Sequence, residues 1–123
     1  MTAETARPPA GTAGEILHGG AQRLGVRWVN RARPDMTLSR YAVAPGTAVS
    51  LHVHTGKTEY WLITAGTGVA TVGETTIPVV EGDVVATEPL VPHALLNTGT
   101  QPLLFVNVVV PTGDGPVTTT ELA

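Results

Sequence analysis

Near the middle of the chain the sequence reads Gly46-Thr-Ala-Val-Ser-Leu-His52-Val-His54-Thr-Gly-Lys-Thr-Glu59-Tyr-Trp-Leu-Ile-Thr-Ala-Gly66. The residues around the two histidines are apolar and β-branched, which favours a β-strand. Residues two apart on a strand project from the same face, with their Cα atoms on the order of 7 Å apart. We therefore expect both imidazoles to reach one metal ion, with Glu59 as a further ligand. The same alternation predicts that Ser50 points inward with the two histidines. It also predicts that Trp61 and Ile63 point inward with Glu59, whereas Tyr60 and Leu62 face outward.

A second stretch supplies a third histidine and reads Gly82-Asp-Val-Val-Ala-Thr-Glu-Pro-Leu-Val-Pro-His93-Ala-Leu-Leu-Asn97. Three neutral imidazoles and one carboxylate suit a borderline divalent transition metal and leave coordination positions open. Burying these ionisable side chains without a metal would be costly. The sequence thus predicts one ion, which could be iron, manganese, nickel, copper, cobalt or zinc, bound by His52, His54, Glu59 and His93.

Both stretches resemble the two sequence motifs of the cupin family. The first motif, G-x5-H-x-H-x3–4-E-x6-G, is matched at every spacing by Gly46, His52, His54, Glu59 and Gly66. The second, G-x5-P-x-G-x2-H-x3-N, is matched by Gly82, His93 and Asn97, with Pro92 before the histidine. The resemblance implies an all-β fold, a double-stranded β-helix or jelly-roll barrel, with metal-dependent chemistry inside it.

Two positions depart from the second motif. Glu88 stands where the first proline is usual, and Leu90 stands where a glycine is usual. Both lie in the turn that leads to His93, so the departures concern the shape of that loop rather than the ligands.

The composition agrees with a single all-β domain. The chain has 123 residues with 14 glycines, 10 prolines and no cysteine, so it has neither disulfides nor thiolate ligands. We expect a disordered leader over residues 1–13, a barrel with an N-terminal strand extension over 14–111, and a loose tail over 112–123. The apolar alternation predicts strands at 26–29, 38–43, 49–54, 58–64, 68–72, 75–80, 84–87, 94–97 and 103–110, in the antiparallel order of a jelly roll.

Three further side chains are candidates for contact with a substrate. Arg40 interrupts an apolar strand and its planar fork suits a carboxylate, unless it simply faces outward. Asn107 stands among apolar neighbours, so its amide either reaches the pocket or a metal ligand, or is satisfied by nearby backbone. Tyr60 is a candidate acid, although packing or a place at the rim fits it better. His18 is expected to be structural.

Charge and hydropathy exclude several partners. Arg23, Arg27, Arg31, Arg33 and Arg40 crowd one stretch, but the net charge of the chain is −3 and its basic residues do not alternate with several stacking aromatics across a face, so we expect no nucleic-acid partner. No apolar run is long enough for a membrane span, and the first residues lack a signal-peptide pattern, which predicts a cytoplasmic protein. The resemblance to cupins also implies a homodimer, to which the 26–29 strand could contribute by joining an exposed sheet edge of the partner.

The predicted function is that of a metal-dependent enzyme for a small polar or anionic organic molecule, bound to the ion through two oxygens. Few tyrosines and lysines are expected inside to serve as acids or bases. That scarcity places oxygenase chemistry ahead of isomerase, decarboxylase or lyase chemistry. The alternative is a non-catalytic module that binds or senses a small ligand.

Overall fold

Eleven β-strands and no helix make up residues 14–122, the part of the chain that the computed structural model describes. The predicted leader, 1–13, lies outside the described residues. The strands are β1 Ile16–Leu17, β2 Ala21–Leu24, β3 Thr37–Val43, β4 Ala48–Thr55, β5 Lys57–Ala65, β6 Thr67–Val72, β7 Thr75–Val80, β8 Val84–Thr87, β9 His93–Asn97, β10 Leu103–Pro111 and β11 Thr118–Glu121. Between residues 14 and 122 the structure has no helix of the length and apolarity that crossing a membrane requires.

The strands form two antiparallel sheets with the orders β1-β2-β3-β10-β5-β8 and β11-β4-β9-β6-β7. Strands that are distant in sequence are neighbours in each sheet, as in the pairing of β10 with both β3 and β5. This double-sheet arrangement confirms the predicted all-β, double-stranded β-helix class.

The inner faces of the two sheets form the core by strict alternation. Along β5, Glu59, Trp61 and Ile63 are buried, whereas Tyr60 and Leu62 face outward. A strand with one buried face alternates in this way because successive side chains leave opposite faces. The side-chain parity predicted for this strand is therefore confirmed.

A bulge in β4 breaks the same parity rule beside the two histidines. Val49 pairs with Leu95 but His52 pairs with His93, so β4 contains one residue more than β9 between these pairs. Val49 and His52 are consequently both buried, although they are three positions apart. The expectation that Ser50 points inward with the histidines was wrong.

The N-terminal strand lies earlier than predicted. Residues 26–29 form no strand, because local side-chain contacts occupy this segment: the Arg40 guanidinium donates to the carbonyl oxygen of Gly25, and the Arg31 guanidinium covers the Trp28 ring at 4.4 Å. The strand is instead β2, which pairs with β3. A Cβ atom at Gly20 would collide with the carbonyl oxygen of Ala48, so the turn between β1 and β2 packs directly on β4.

The tail also differs from the expectation of a loose segment. Residues Thr118–Glu121 form β11 and pair with β4 from Thr55 to His52. Threonine is β-branched and favours strands, and the edge of β4 offers backbone groups that need partners. The C-terminal strand is thereby placed next to the two histidines of β4.

Candidate metal centre

Three strands bring the four predicted ligands together. His52 and His54 come from β4, Glu59 from β5 and His93 from β9. Each side chain offers one donor atom, and these atoms all lie within 4.8 Å of one another. None of the four residues is more than 4% exposed. The sequence spacing therefore leads to a single buried cluster.

The outer nitrogen of each imidazole has a fixed partner. Nδ1 of His52 lies 2.7 Å from the carbonyl oxygen of Ser50, and Nδ1 of His93 lies 2.9 Å from that of Val91. A carbonyl oxygen only accepts hydrogen bonds, so both Nδ1 atoms carry a proton, and in the neutral imidazole the free lone pair then lies on Nε2. Nδ1 of His54 lies 2.8 Å from Oγ1 of Thr119 on β11.

The inner nitrogens have no such partner, and this tests whether a metal fits. Nε2 of His54 and Nε2 of His93 each lie 3.5 Å from Oε1 of Glu59. Both are buried and form no hydrogen bond within the part of the chain that the structure describes. A buried polar nitrogen without a hydrogen-bond partner is costly. A divalent cation fits this set of neutral nitrogens and a carboxylate, because it would satisfy all of them at once.

The protonation states suit the same interpretation. Burial lowers the pKa of His52 from its ordinary 6.5 to about 4, so this imidazole is neutral at pH 7. Burial alone would raise the pKa of Glu59, but the side chains of His54 and His93 and the positive charge of Lys57 outweigh it and hold that pKa well below its usual range. Neutral imidazole and ionised carboxylate are the forms that bind metal ions.

Glu59 is oriented by two neighbours on its second oxygen. Nδ2 of Asn107 donates to Oε2 at 3.3 Å, and Nζ of Lys57 lies 3.1 Å from the same atom. Oε1 is thus the oxygen that faces the histidines. Of the alternatives for Asn107, the structure places its amide on a predicted metal ligand, and its Oδ1 is buried without a hydrogen-bond partner in the described residues.

A cavity of about 490 Å³ adjoins the cluster. It is bordered by His52, His54 and Glu59, by apolar residues such as Trp61 and Phe105, and by polar side chains that include Arg23, Asp35, Ser39, Tyr41, Lys57 and Asn107. The expectation that tyrosine and lysine are scarce inside was wrong, since Tyr41 is 7% exposed and the Lys57 side chain 15%.

The other two substrate-contact candidates lie away from the cavity. Arg40 is exposed and donates to the carbonyl oxygen of Gly25, and Tyr60 is 42% exposed on the outer face of its sheet. Neither residue borders the cavity. Of the two alternatives for Arg40, its exposure agrees with the outward-facing charge and not with a contact to an anionic substrate in the cavity. Both side chains face outward because the residues before and after each of them on the strand are buried, and successive side chains leave opposite faces of a sheet.

Two residues near the cluster had no clear signal in the sequence. His18 stacks on His52 with ring centroids 3.7 Å apart, and its Nδ1 lies 2.5 Å from Oε2 of Glu121 on β11. His18, His52 and Glu121 form a second group of potential ligands, which shares His52 with the first. His18 was expected to be only structural, yet it lies against a predicted ligand. Its position depends on the turn before β2, which local patterns do not reveal.

Leu90 shows what the departure from the second motif does. It has a φ of 66°, in the left-handed region that glycine adopts without strain. Its backbone nitrogen donates to the carbonyl oxygen of His54 at 2.8 Å, so the turn before β9 is tied to β4. The loop keeps the backbone shape of a glycine-containing turn although a leucine occupies it.

Comparisons with known proteins agree with this fold. The oxalate-binding protein of Thermotoga maritima is 35% identical over 81 residues, which are 66% of this chain and 64% of that protein. This chain thus spans less than two thirds of that relative's length. The crystal structure of a predicted oxalate decarboxylase from the same organism has a TM-score of 0.70 at 24% identity and covers 90% of this chain and 98% of its own.

A Bacillus subtilis oxalate decarboxylase with Mn(II) centres has a TM-score of 0.60 at 24% identity, covering 72% of this chain and 24% of that chain. At such identities the structural likeness shows the fold alone. A family model described as a cupin domain matches residues 39–109. Because the matched residues make up more than half of the chain, this protein belongs to the cupin family.

Proposed function

We propose that this cupin domain binds one divalent transition metal through His52, His54, Glu59 and His93 and binds a small organic acid at that ion. One observation carries the proposal: the inner nitrogens of His54 and His93 are buried without hydrogen bonds and lie beside one carboxylate oxygen. A cluster that served only the fold would satisfy these atoms within the protein.

The ion would act as a Lewis acid that polarises an oxygen of the bound acid. The ligand set alone admits iron, manganese, nickel, copper, cobalt or zinc. Manganese is the first ion to test, since the oxalate decarboxylase of similar fold is described with Mn(II) centres.

A small carboxylate is the proposed ligand class for two reasons. The relative from Thermotoga maritima is an oxalate-binding protein, and oxalate is a small dicarboxylate. The cavity of about 490 Å³ has the size of a small-molecule site and is bordered by the cationic side chains of Arg23 and Lys57.

We now favour decarboxylation or isomerisation of the acid over oxygenase chemistry as the reaction. The preference for oxygenase chemistry depended on a lack of internal acids and bases, but Lys57 and Tyr41 border the cavity. An ammonium or a phenol in a closed site can hold or transfer a proton. The second candidate is a non-catalytic binding module, which the name of the oxalate-binding relative favours.

The test begins with elemental analysis of protein purified without added metal, followed by titration of the metal-free protein with Mn(II), Fe(II) and Zn(II). We expect one ion per chain in the wild type and a large loss of affinity in His93→Ala. Leu96→Ala is the matched control, because Leu96 lies on the same strand and is 45% exposed. Equal metal affinity in His93→Ala and wild type would refute the proposed site.

Turnover separates the two candidate functions. Metal-loaded protein would be incubated with oxalate and other small acids while carbon dioxide, oxygen and the acid are measured. Product beyond one equivalent per site supports an enzyme, whereas saturable binding without product supports the binding module. The homodimer and the cytoplasmic location stay predictions.

A further inference from the structure

Arg23 is a buried cation whose function the metal site does not explain. It lies on β2, is 8% exposed and borders the same cavity as the predicted ligands. Its Nη1 donates to Oγ of Ser39 at 3.0 Å, and its guanidinium lies 5.1 Å from the ring centroid of Tyr41. These two contacts hold the planar group in one orientation.

The charge of Arg23 is only partly balanced. Its Nε is buried without a hydrogen bond in the described residues, and the carboxylate of Glu15 lies 3.5 Å from this atom. The Glu15 side chain is 43% exposed, so water screens that pair. A buried guanidinium that lacks part of its hydrogen bonding is costly unless an anion completes it.

A row of inward side chains connects Arg23 with the metal cluster. Asn107 on β10 pairs with Ser39 on one side and with Trp61 on the other. Since neighbouring strands lie about 4.8 Å apart, Ser39 is about 10 Å from the strand that carries Glu59. Arg23, His52, His54 and Glu59 all border the cavity of about 490 Å³, so one small molecule in it can face both the guanidinium and the cluster.

We propose that Arg23 binds a second anionic group of the ligand, so that the cavity takes small dicarboxylic acids with one end at the metal and the other at this guanidinium. This inference rests on the proposed function and names its substrate class more narrowly. A guanidinium can donate two parallel hydrogen bonds to a carboxylate, and Ser39 and Tyr41 orient it before the ligand arrives. The far carboxylate would supply the counter-charge that Arg23 lacks inside the cavity.

Matched pairs of acids isolate the far carboxylate. 2-Oxoglutarate and 2-oxopentanoate have the same chain length and the same 2-oxo acid group that can chelate the metal. Only 2-oxoglutarate has a second carboxylate at the far end. Malate and 2-hydroxybutyrate form a shorter pair that differs in the same way. Isothermal titration calorimetry on the metal-loaded wild type is expected to show at least about tenfold tighter binding of the diacid in one pair. Equal affinities within both pairs would overturn the inference without any variant.

Variants assign the effect to one side chain. Arg23→Gln should bring the diacid to the affinity of its monoacid partner, whereas Arg40→Gln, which alters an exposed arginine on the neighbouring strand, should leave the difference unchanged. A full diacid preference in Arg23→Gln would overturn the inference. If Arg23→Gln fails to fold, Ser39→Ala is the substitute, because it removes the hydroxyl that orients the guanidinium. This variant should reduce the difference in affinity between the diacid and the monoacid. An unchanged difference would contradict the inference.

Metal titration of the same proteins keeps the two proposals apart. We expect Arg23→Gln and wild type to bind the metal equally, because Arg23 contacts none of the four predicted ligands. A wild type that binds no metal would refute the proposed function and with it this inference. A wild type that binds metal but shows no preference for diacids would refute the inference alone.

Discussion

Replacing Thr119 with valine tests whether β11 contributes to the metal centre. Oγ1 of Thr119 lies 2.8 Å from Nδ1 of His54 and would accept its proton when Nε2 binds a metal, so valine keeps the shape and β-propensity of the side chain but removes this contact. The imidazole of His54 would then lose the partner that fixes its tautomer and ring orientation. Removing such an outer partner of a metal-ligating histidine typically lowers metal affinity 10–100-fold.

The structure places the expected effect at the lower end of that range. Thr119 is exposed, so a water molecule can replace the hydroxyl as the acceptor for Nδ1. We therefore expect metal affinity to fall about tenfold and the unfolding free energy of the metal-free protein to fall by about 1 kcal/mol.

Competition with a chelator of known affinity measures the metal effect, and urea denaturation measures stability. Thr118→Val is the matched control: its hydroxyl contacts Oγ1 of Thr55 at 2.5 Å, outside the cluster. That variant should lose some stability and keep its metal affinity. The reasoning would be refuted if both variants bound the metal as the wild type does, or if both weakened binding equally.

Three further predictions follow from individual side chains. The pKa of His52 is lowered to about 4 in the folded protein, so between pH 6.5 and 4 the unfolded chain binds a proton at this residue and the folded chain does not. The unfolding free energy of the metal-free protein should therefore fall by about 3 kcal/mol through His52 as the pH decreases across that range. Urea denaturation of wild type and His52→Gln checks this, and an equally steep pH dependence in both would contradict it. Leu90→Gly should raise the unfolding free energy by up to about 1 kcal/mol by relieving the left-handed φ, whereas Leu96→Gly on β9 should lower it; thermal unfolding of both distinguishes them. Asn107→Leu should weaken metal binding less than about tenfold, since Lys57 still contacts the same carboxylate oxygen, and chelator competition would reveal a larger loss.

The four predicted ligands could be found from the sequence because their placement depends on short-range spacing. His52 and His54 are two residues apart on one strand, and each imidazole reaches its position from the strand that the local pattern predicts. The strand parity of β5 was predictable for the same reason. The error at Ser50 came from the bulge in β4, which inserts one residue and shifts the parity without any mark in the sequence.

Arg23 could not be found in this way because it breaks the pattern that identifies a strand. β2 reads Ala-Gln-Arg-Leu, and the buried arginine occupies a position where an apolar residue would reveal the alternation. A buried polar residue of this kind violates the local pattern, as the proposed role of Arg23 in binding an anion would require. Arg40 resembled a pocket residue for the opposite reason: it is a surface charge among apolar neighbours.

The orientation of the three imidazoles depends on two different kinds of contact. His52 and His93 are each held by a carbonyl oxygen two residues earlier in their own segment, so these two ligands are oriented locally. His54 is held by a hydroxyl from β11, which is 65 residues away in sequence. If an ion binds only when His54 is oriented by Thr119, binding of the ion stabilises the pairing of β11 with β4. By reciprocity, this pairing increases the affinity for the ion by the same factor. If the proposed site binds an ion, the C-terminal strand is thus thermodynamically coupled to it, although this strand supplies none of the four predicted ligands.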